Sequence, residues 1–256
     1  MKMRIALFIT LQFYLLTSLC AQPTQLTVRA KAKDAKFIGT SVGGAKIVVR
    51  DALTGEILAQ GLTEGSTGNT GLIMNTPRER YTQLAPAETA GFTTTLDLEE
   101  PRLLTIEAHA PYTSRQARVL TSTQIWLIPG KNITGDGVVL EIPGFIIDIL
   151  APQTHRFVPR AELSDGTTSV RANIVMMCGC TITDGGLWDG SKMEVEAIVK
   201  RNGKKQGTYP MQMAETANIF EGPVPIGEGG AYEFIVTAFD PRTGNTGVDK
   251  VNFVVE

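Results

Sequence analysis

Imidazole is nearly missing from this chain: 256 residues carry two histidines, His109 and His155. A three-histidine zinc enzyme is thereby excluded. Cysteine is almost as scarce, with Cys20, Cys178 and Cys180, so the chain is no disulfide-stapled miniature and must stabilise itself by apolar burial. Excess positive charge is absent too. Lys and Arg total 24 against 26 Asp and Glu, which argues against a nucleic acid or other polyanion as partner. There is no phosphate-binding glycine loop, and Ser residues scattered around two histidines define no Ser-His-acid constellation. Hydrophobic residues make up 43% of the chain, enough to build a core.

The N-terminus carries Lys2 and Arg4, an apolar run from Ile5 to about Leu16, and then small and polar residues to Ala21. That order reads as a secretory signal over residues 1–21 and predicts a periplasmic or secreted protein. Cleavage after Ala21 removes Cys20 and leaves Cys178 and Cys180 as the mature thiols. No later segment offers about 20 uninterrupted apolar residues, so no transmembrane segment is expected in the mature chain.

Beyond the leader, period-two alternation dominates. Segments 25–33, 45–50, 92–98, 103–110 and 123–128 have the pattern of half-buried strands, and Asp51-Ala52-Leu53-Thr54-Gly55 reads as a turn. Residues 61–83, rich in Gly and Thr, read as an exposed excursion. The strong β signal at 137–142 and 145–150 is broken by Pro143-Gly144. Further strands are expected at 169–177, 193–201, 207–214, 232–239 and 248–255. The fold class is therefore all-β, two β-sandwich domains, with Ala151-Pro152 as the boundary between residues 23–150 and 151–256. Thr67-Gly68-Asn69-Thr70-Gly71 recurs as Thr243-Gly244-Asn245-Thr246-Gly247, and the Asp51 turn recurs at Asp240-Pro241-Arg242-Thr243-Gly244. Both repeats read as shared turn chemistry.

Gly43-Gly44-Ala45-Lys46-Ile47-Val48-Val49-Arg50-Asp51 through Thr54-Gly55 resembles the start of carboxypeptidase-regulatory-like, or transthyretin-like, β-sandwich modules, over part of residues 25–110. Tyr232 to Asp240, followed by Gly244-Asn245-Thr246-Gly247 and Val251 to Val255, resembles the last hairpin of bacterial immunoglobulin-like or fibronectin-like modules. The resemblance implies a secreted module for carbohydrate or protein contact, or an envelope spacer, and transfers no catalytic residue.

The most chemically specific segment is Met176-Met177-Cys178-Gly179-Cys180, at the end of the expected 169–177 strand. If the strand continues, both sulfurs project to one side. Three readings stay open: a soft-metal site, a constrained disulfide or thiol redox pair, and inert buried thiols. Two thiolates suit Cu(I), with a thioether of Met176 or Met177 as a further ligand, whereas structural zinc lacks a second cysteine pair. The following loop holds Asp184, Trp188 and Asp189. The two acids are candidate ligand or partner contacts or ordinary turn residues, and Trp188 is a contact platform or an anchor closing a sandwich edge. Trp126, within a strand, is expected in the core.

The leading expectation is an exported non-catalytic binding or accessory protein, partnered by an envelope protein or a soft metal ion, with copper(I) at Cys178 and Cys180. Its rivals are a structural or protein-interaction module with a disulfide, and a thiol-disulfide oxidoreductase.

Overall fold

The computed structural model describes residues 21–256. Of the leader expected over residues 1–21, residues 1–20 lie outside the described residues. The strands, in chain order, are β1 (Gln22–Ala32), β2 (Lys46–Asp51), β3 (Ile57–Leu62), β4 (Phe92–Leu98), β5 (Arg102–Ala110), β6 (Val119–Leu127), β7 (Ile133–Ile142), β8 (Phe145–Ala151), β9 (Phe157–Val158), β10 (Thr167–Met176), β11 (Glu194–Arg201), β12 (Lys204–Pro210), β13 (Gln212–Met213), β14 (Ile219–Pro225), β15 (Gly230–Asp240) and β16 (Asn245–Val255). Among the described residues no helix is long and apolar enough to cross a membrane.

Among the described residues the strands form four sheets, two in each half of the chain. The N-terminal pair has the orders β4-β1-β7 and β3-β2-β5-β6. β1 runs antiparallel to β4 and parallel to β7. These sheets approach one another along both edges, β6 beside β7 and β3 beside β4, so that their inner faces enclose a core. The alternation of the sequence shows directly in burial: Leu26, Val28 and Ala30 of β1, Ile47 and Val49 of β2, and Leu104, Ile106 and Ala108 of β5 are buried on the shared inside.

The C-terminal pair is β13-β14-β10-β8 and β12-β11-β15-β16-β9. One sheet holds the first and second long strands of this half with its fifth; the other holds the third, fourth and last two, a division resembling immunoglobulin-like and fibronectin-like sandwiches. β8, although it precedes Pro152 and lies almost wholly before the expected boundary, hydrogen-bonds to β10 and lies beside β16. At the start of β15 the Tyr232 hydroxyl donates to the Glu228 carbonyl at 2.8 Å, and its ring stacks on Phe253. This tyrosine corner ties the loop entering β15 to the core.

Several segments depart from expectation for identifiable reasons. Trp126 is 58% exposed, because β6 pairs Trp126 with Leu103, whose neighbour Leu104 takes the inward phase. A one-residue difference of phase sends a side chain to the other face. The expected 207–214 strand is two strands: the chain crosses between sheets at Met211, whose amide donates to Val195 while Gln212 pairs with Glu221. β14 was hidden by Pro223 and Pro225. The amide of Ile174 donates to the Asn218 carbonyl, so even-numbered residues of β14 bond to β10 and both prolines stand where an amide would face away from it.

Replacing Tyr232 with Phe removes one part-buried hydrogen bond while keeping the ring stack. It should cost about 1 kcal/mol in urea unfolding with an unchanged slope, and a variant as stable as wild type would show that the corner is not a restraint.

Candidate functional site

At the end of β10 the chain reverses instead of continuing. The Gly179 amide donates to the Met176 carbonyl at 2.7 Å and the Met176 amide to the Cys180 carbonyl at 3.1 Å. Gly179 at φ +76° supplies the left-handed residue this turn needs. The reversal brings Cys178 and Cys180 together, and they form a disulfide with their Cα atoms 5.4 Å apart. The copper(I) and soft-metal expectation is thereby overturned: both sulfurs are spent in a bond to each other, leaving no thiolate to bind an ion. Among the described residues no group of three or more His, Cys, Asp or Glu side chains is placed to hold a metal. Met176 and Met177 are each 1% exposed and belong to the apolar core.

The disulfide turn sits against the first half of the chain. A Cβ on Gly179 would come within 2.6 Å of Val42, in the short turn Thr40–Val42. Beside it, Lys36, Ser41, Thr67, Thr181 and Trp188 line a shallow cleft of about 360 Å³ at the junction of the halves.

The loop from Thr183 to Ser191 is closed by its own hydrogen bonds. The Thr183 amide donates to the Trp188 carbonyl, the Gly190 amide to the Thr183 carbonyl, and Asp189 Oδ1 accepts from the Gly185 amide, the Ser191 amide and the Ser191 hydroxyl. These bonds, the Ser191 hydroxyl foremost, hold the Asp189 carboxyl below its ordinary pKa. The stapled loop delivers Trp188 into the junction, where it is 9% exposed and its indole N–H donates to the Asp34 carbonyl at 2.8 Å. Asp184 is exposed on the opposite side of the loop, at the rim of a larger groove.

Asn245 is a junction residue that sequence reasoning treated only as turn chemistry. It is fully buried; its side-chain N–H donates to the Lys33 carbonyl at 3.1 Å, and its oxygen accepts the Gly144 amide at 2.8 Å. One amide thus ties the link between β7 and β8 to a turn of the first half. The nearby Asp240 repeats the Asp51 turn, each carboxylate accepting the amide two residues on and each carbonyl the amide four residues on. Asp240 is 2% exposed and forms two 3.0 Å bonds to Arg242. The second Thr-Gly-Asn-Thr-Gly copy was the available signal, since Asn69 in the first merely accepts from Leu72 at the surface.

No family model matches the chain, and no curated protein matches it. Among solved structures, an engineered protein is similar at 16% identity and TM-score 0.33 over 51% of this chain, which spans 24% of that protein's length. The fibronectin(III)-like modules of Clostridium thermocellum CbhA are similar at 12% identity and TM-score 0.30, over 91% of this chain and 94% of theirs. Drosophila N-cadherin EC1-3 is similar at 12% identity and TM-score 0.28, over 93% and 68%. The architecture described above rests on this chain's own strand pairing.

Trp188→Ala removes a large buried side chain and its hydrogen bond, and should cost about 3 kcal/mol or more, with Trp188→Phe intermediate, in equilibrium denaturation. Burial would raise the Asp240 pKa, but the bonds to Arg242 outweigh it and the net shift is downward. The folded carboxylate therefore binds fewer protons than the unfolded one. Its contribution is complete above the ordinary Asp range and is lost as pH falls through the folded pKa. Asp34 works the opposite way: loss of water and the charge of Asp240 raise its pKa, so its penalty is relieved in acid. Melting Asp240→Asn between about pH 7 and pH 3 should give a flatter acid limb than wild type, and parallel curves would refute the assignment.

Proposed function

We propose that this chain is an exported, non-catalytic module for protein interaction in the periplasm or outside the cell, in which a structural disulfide and Trp188 hold two β-sandwich units at a fixed junction. The observation that carries the reading is the state of the cysteines: bonded to each other, 1% and 8% exposed, and seated on the turn Thr40–Val42. A thiol-disulfide enzyme needs an accessible sulfur for its substrate thiolate to attack. A scaffold needs the opposite.

The finer assignment of a carboxypeptidase-regulatory-like module followed by an immunoglobulin-like module belongs to the same proposal, with β8 placed in the second module although the expected boundary, residues 23–150 and 151–256, put nearly all of it in the first. It is supported by the turn from Gly43 and Gly44 into β2, the Asp51–Gly55 turn into β3, and the tyrosine corner on β15. The apolar cluster runs without a break from Leu26 to Val255, which favours one stiff body over two loosely tethered units.

Closing so short a loop removes little chain entropy, so Cys178→Ser with Cys180→Ser should cost only about 1.5 kcal/mol, less than Trp188→Ala, and leave the fold intact. In a bacterium exporting the full chain, intact mass should show the leader removed and two hydrogens missing relative to the reduced form. Amine-reactive crosslinking should give discrete adducts with envelope proteins, weakened by Trp188→Ala. Catalytic turnover of a disulfide substrate that disappears in the double serine variant, or the absence of any adduct, would replace this reading.

A further inference from the structure

A groove of about 720 Å³ lies between the stapled 183–191 loop and strand β13. Its apolar lining includes Met193, Met211, Met213 and Phe220, and its rim carries the exposed carboxylates Asp184 and Glu215. Across β13 a second hollow of about 620 Å³ shares Gln212, Met213 and Ala214 with the first and adds Asp165 and Glu221. Among the described residues, no Lys or Arg lines either hollow. Of the neighbouring cations, Arg171 lies 3.7 Å from Glu221, and Lys192 is exposed beside the 183–191 loop without lining either hollow.

The strand between the hollows is the edge of its sheet, with the Gly190–Lys192 turn beside it. Gln212 is paired with Glu221 and the Ala214 amide donates to the Ile219 carbonyl, so the amide and carbonyl of Met213 point away from β14. An outward-facing main-chain donor and acceptor is thus flanked by flexible thioethers and by Asp165, Asp184 and Glu215, which form no ion pair among the described residues, whereas Glu221 is paired with Arg171. Edge strands recruit extended chains through such groups, methionines adapt to varied apolar partners, and the charge selects the sign of what binds.

We infer that this double groove receives an extended segment of a partner protein in which basic side chains alternate with apolar ones. The apolar side chains enter the methionine-lined floor, the basic ones meet Asp184 and Glu215, and the segment's backbone pairs with Met213. The inference rests on the interaction reading above and names its partner chemistry.

The test is fluorescence anisotropy with the full exported chain and two labelled synthetic peptides, one of alternating Lys and Leu, the other of alternating Glu and Leu. The Lys peptide should bind saturably, weaken by roughly tenfold or more in Asp184→Asn with Glu215→Gln, and weaken with added salt. Methylating its central amides should weaken it further by blocking strand pairing. Both substituted residues are exposed, so the melting curve of the double variant should match wild type. Absence of saturable binding, equal affinity for the Glu peptide, or unchanged affinity in the double variant overturns the proposal. So does self-association that the double variant abolishes, which would assign the groove to a second copy. If the envelope crosslinks persist while the peptide fails, the groove assignment alone is wrong; if the crosslinks are absent, the wider reading falls.

Discussion

The seat of Trp188 against the 33–36 turn is the contact on which the relation between the two halves depends. A large ring cannot be buried with its N–H unpaired, and the bond that satisfies it reaches 154 residues back in the chain to Asp34. Everything around it serves that placement. The 183–191 loop is stapled by Asp189 so that the ring is presented in one orientation, and the disulfide turn before it fixes the point from which the loop departs. Asn245 closes the opposite side of the same turn through Lys33. Removal of water from the ring drives the association, and the surrounding hydrogen bonds determine where the ring goes.

This arrangement gives the disulfide a local role. Bridging residues two apart constrains few unfolded conformations, so its main effect is to pin a reversal that Gly179 and the two backbone hydrogen bonds after β10 already shape. The methionines point inward and add to the shared core, with Met177 packed beneath Gly144 in the link between β7 and β8. The turn, the link and the Trp188 loop therefore form one connected patch of packing.

The sequence made most strands legible because half-buried strands carry period-two alternation; residues 92–98 and 145–150 match β4 and β8 closely. Where alternation was interrupted for a reason of its own, reading failed. β14 contains two prolines tolerated only because of the direction their missing amides face, and β12 and β13 look continuous until the sheet change at Met211 is seen. Trp126 shows that an aromatic in a strand has a face as well as a hydrophobicity. At the junction, local chemistry was readable and distant partners were not. The Asp240 turn follows from its own five residues, whereas the bonds of Asn245 reach residues 101 and 212 positions away. The cysteine pair stayed ambiguous because the direction of the backbone after Met176, which residue types do not determine, decides whether two sulfurs face an ion or each other.

Pro223 and Pro225 carry one more consequence. Because they stand on the outward side of β14, just past the two-residue β13, only a short window of that sheet edge offers amides to an incoming strand. A fibre grows by adding strand after strand along an uninterrupted ladder, and this ladder is cut off within a few residues. The chain can therefore be crowded on a surface at high density without seeding polymerisation from that side.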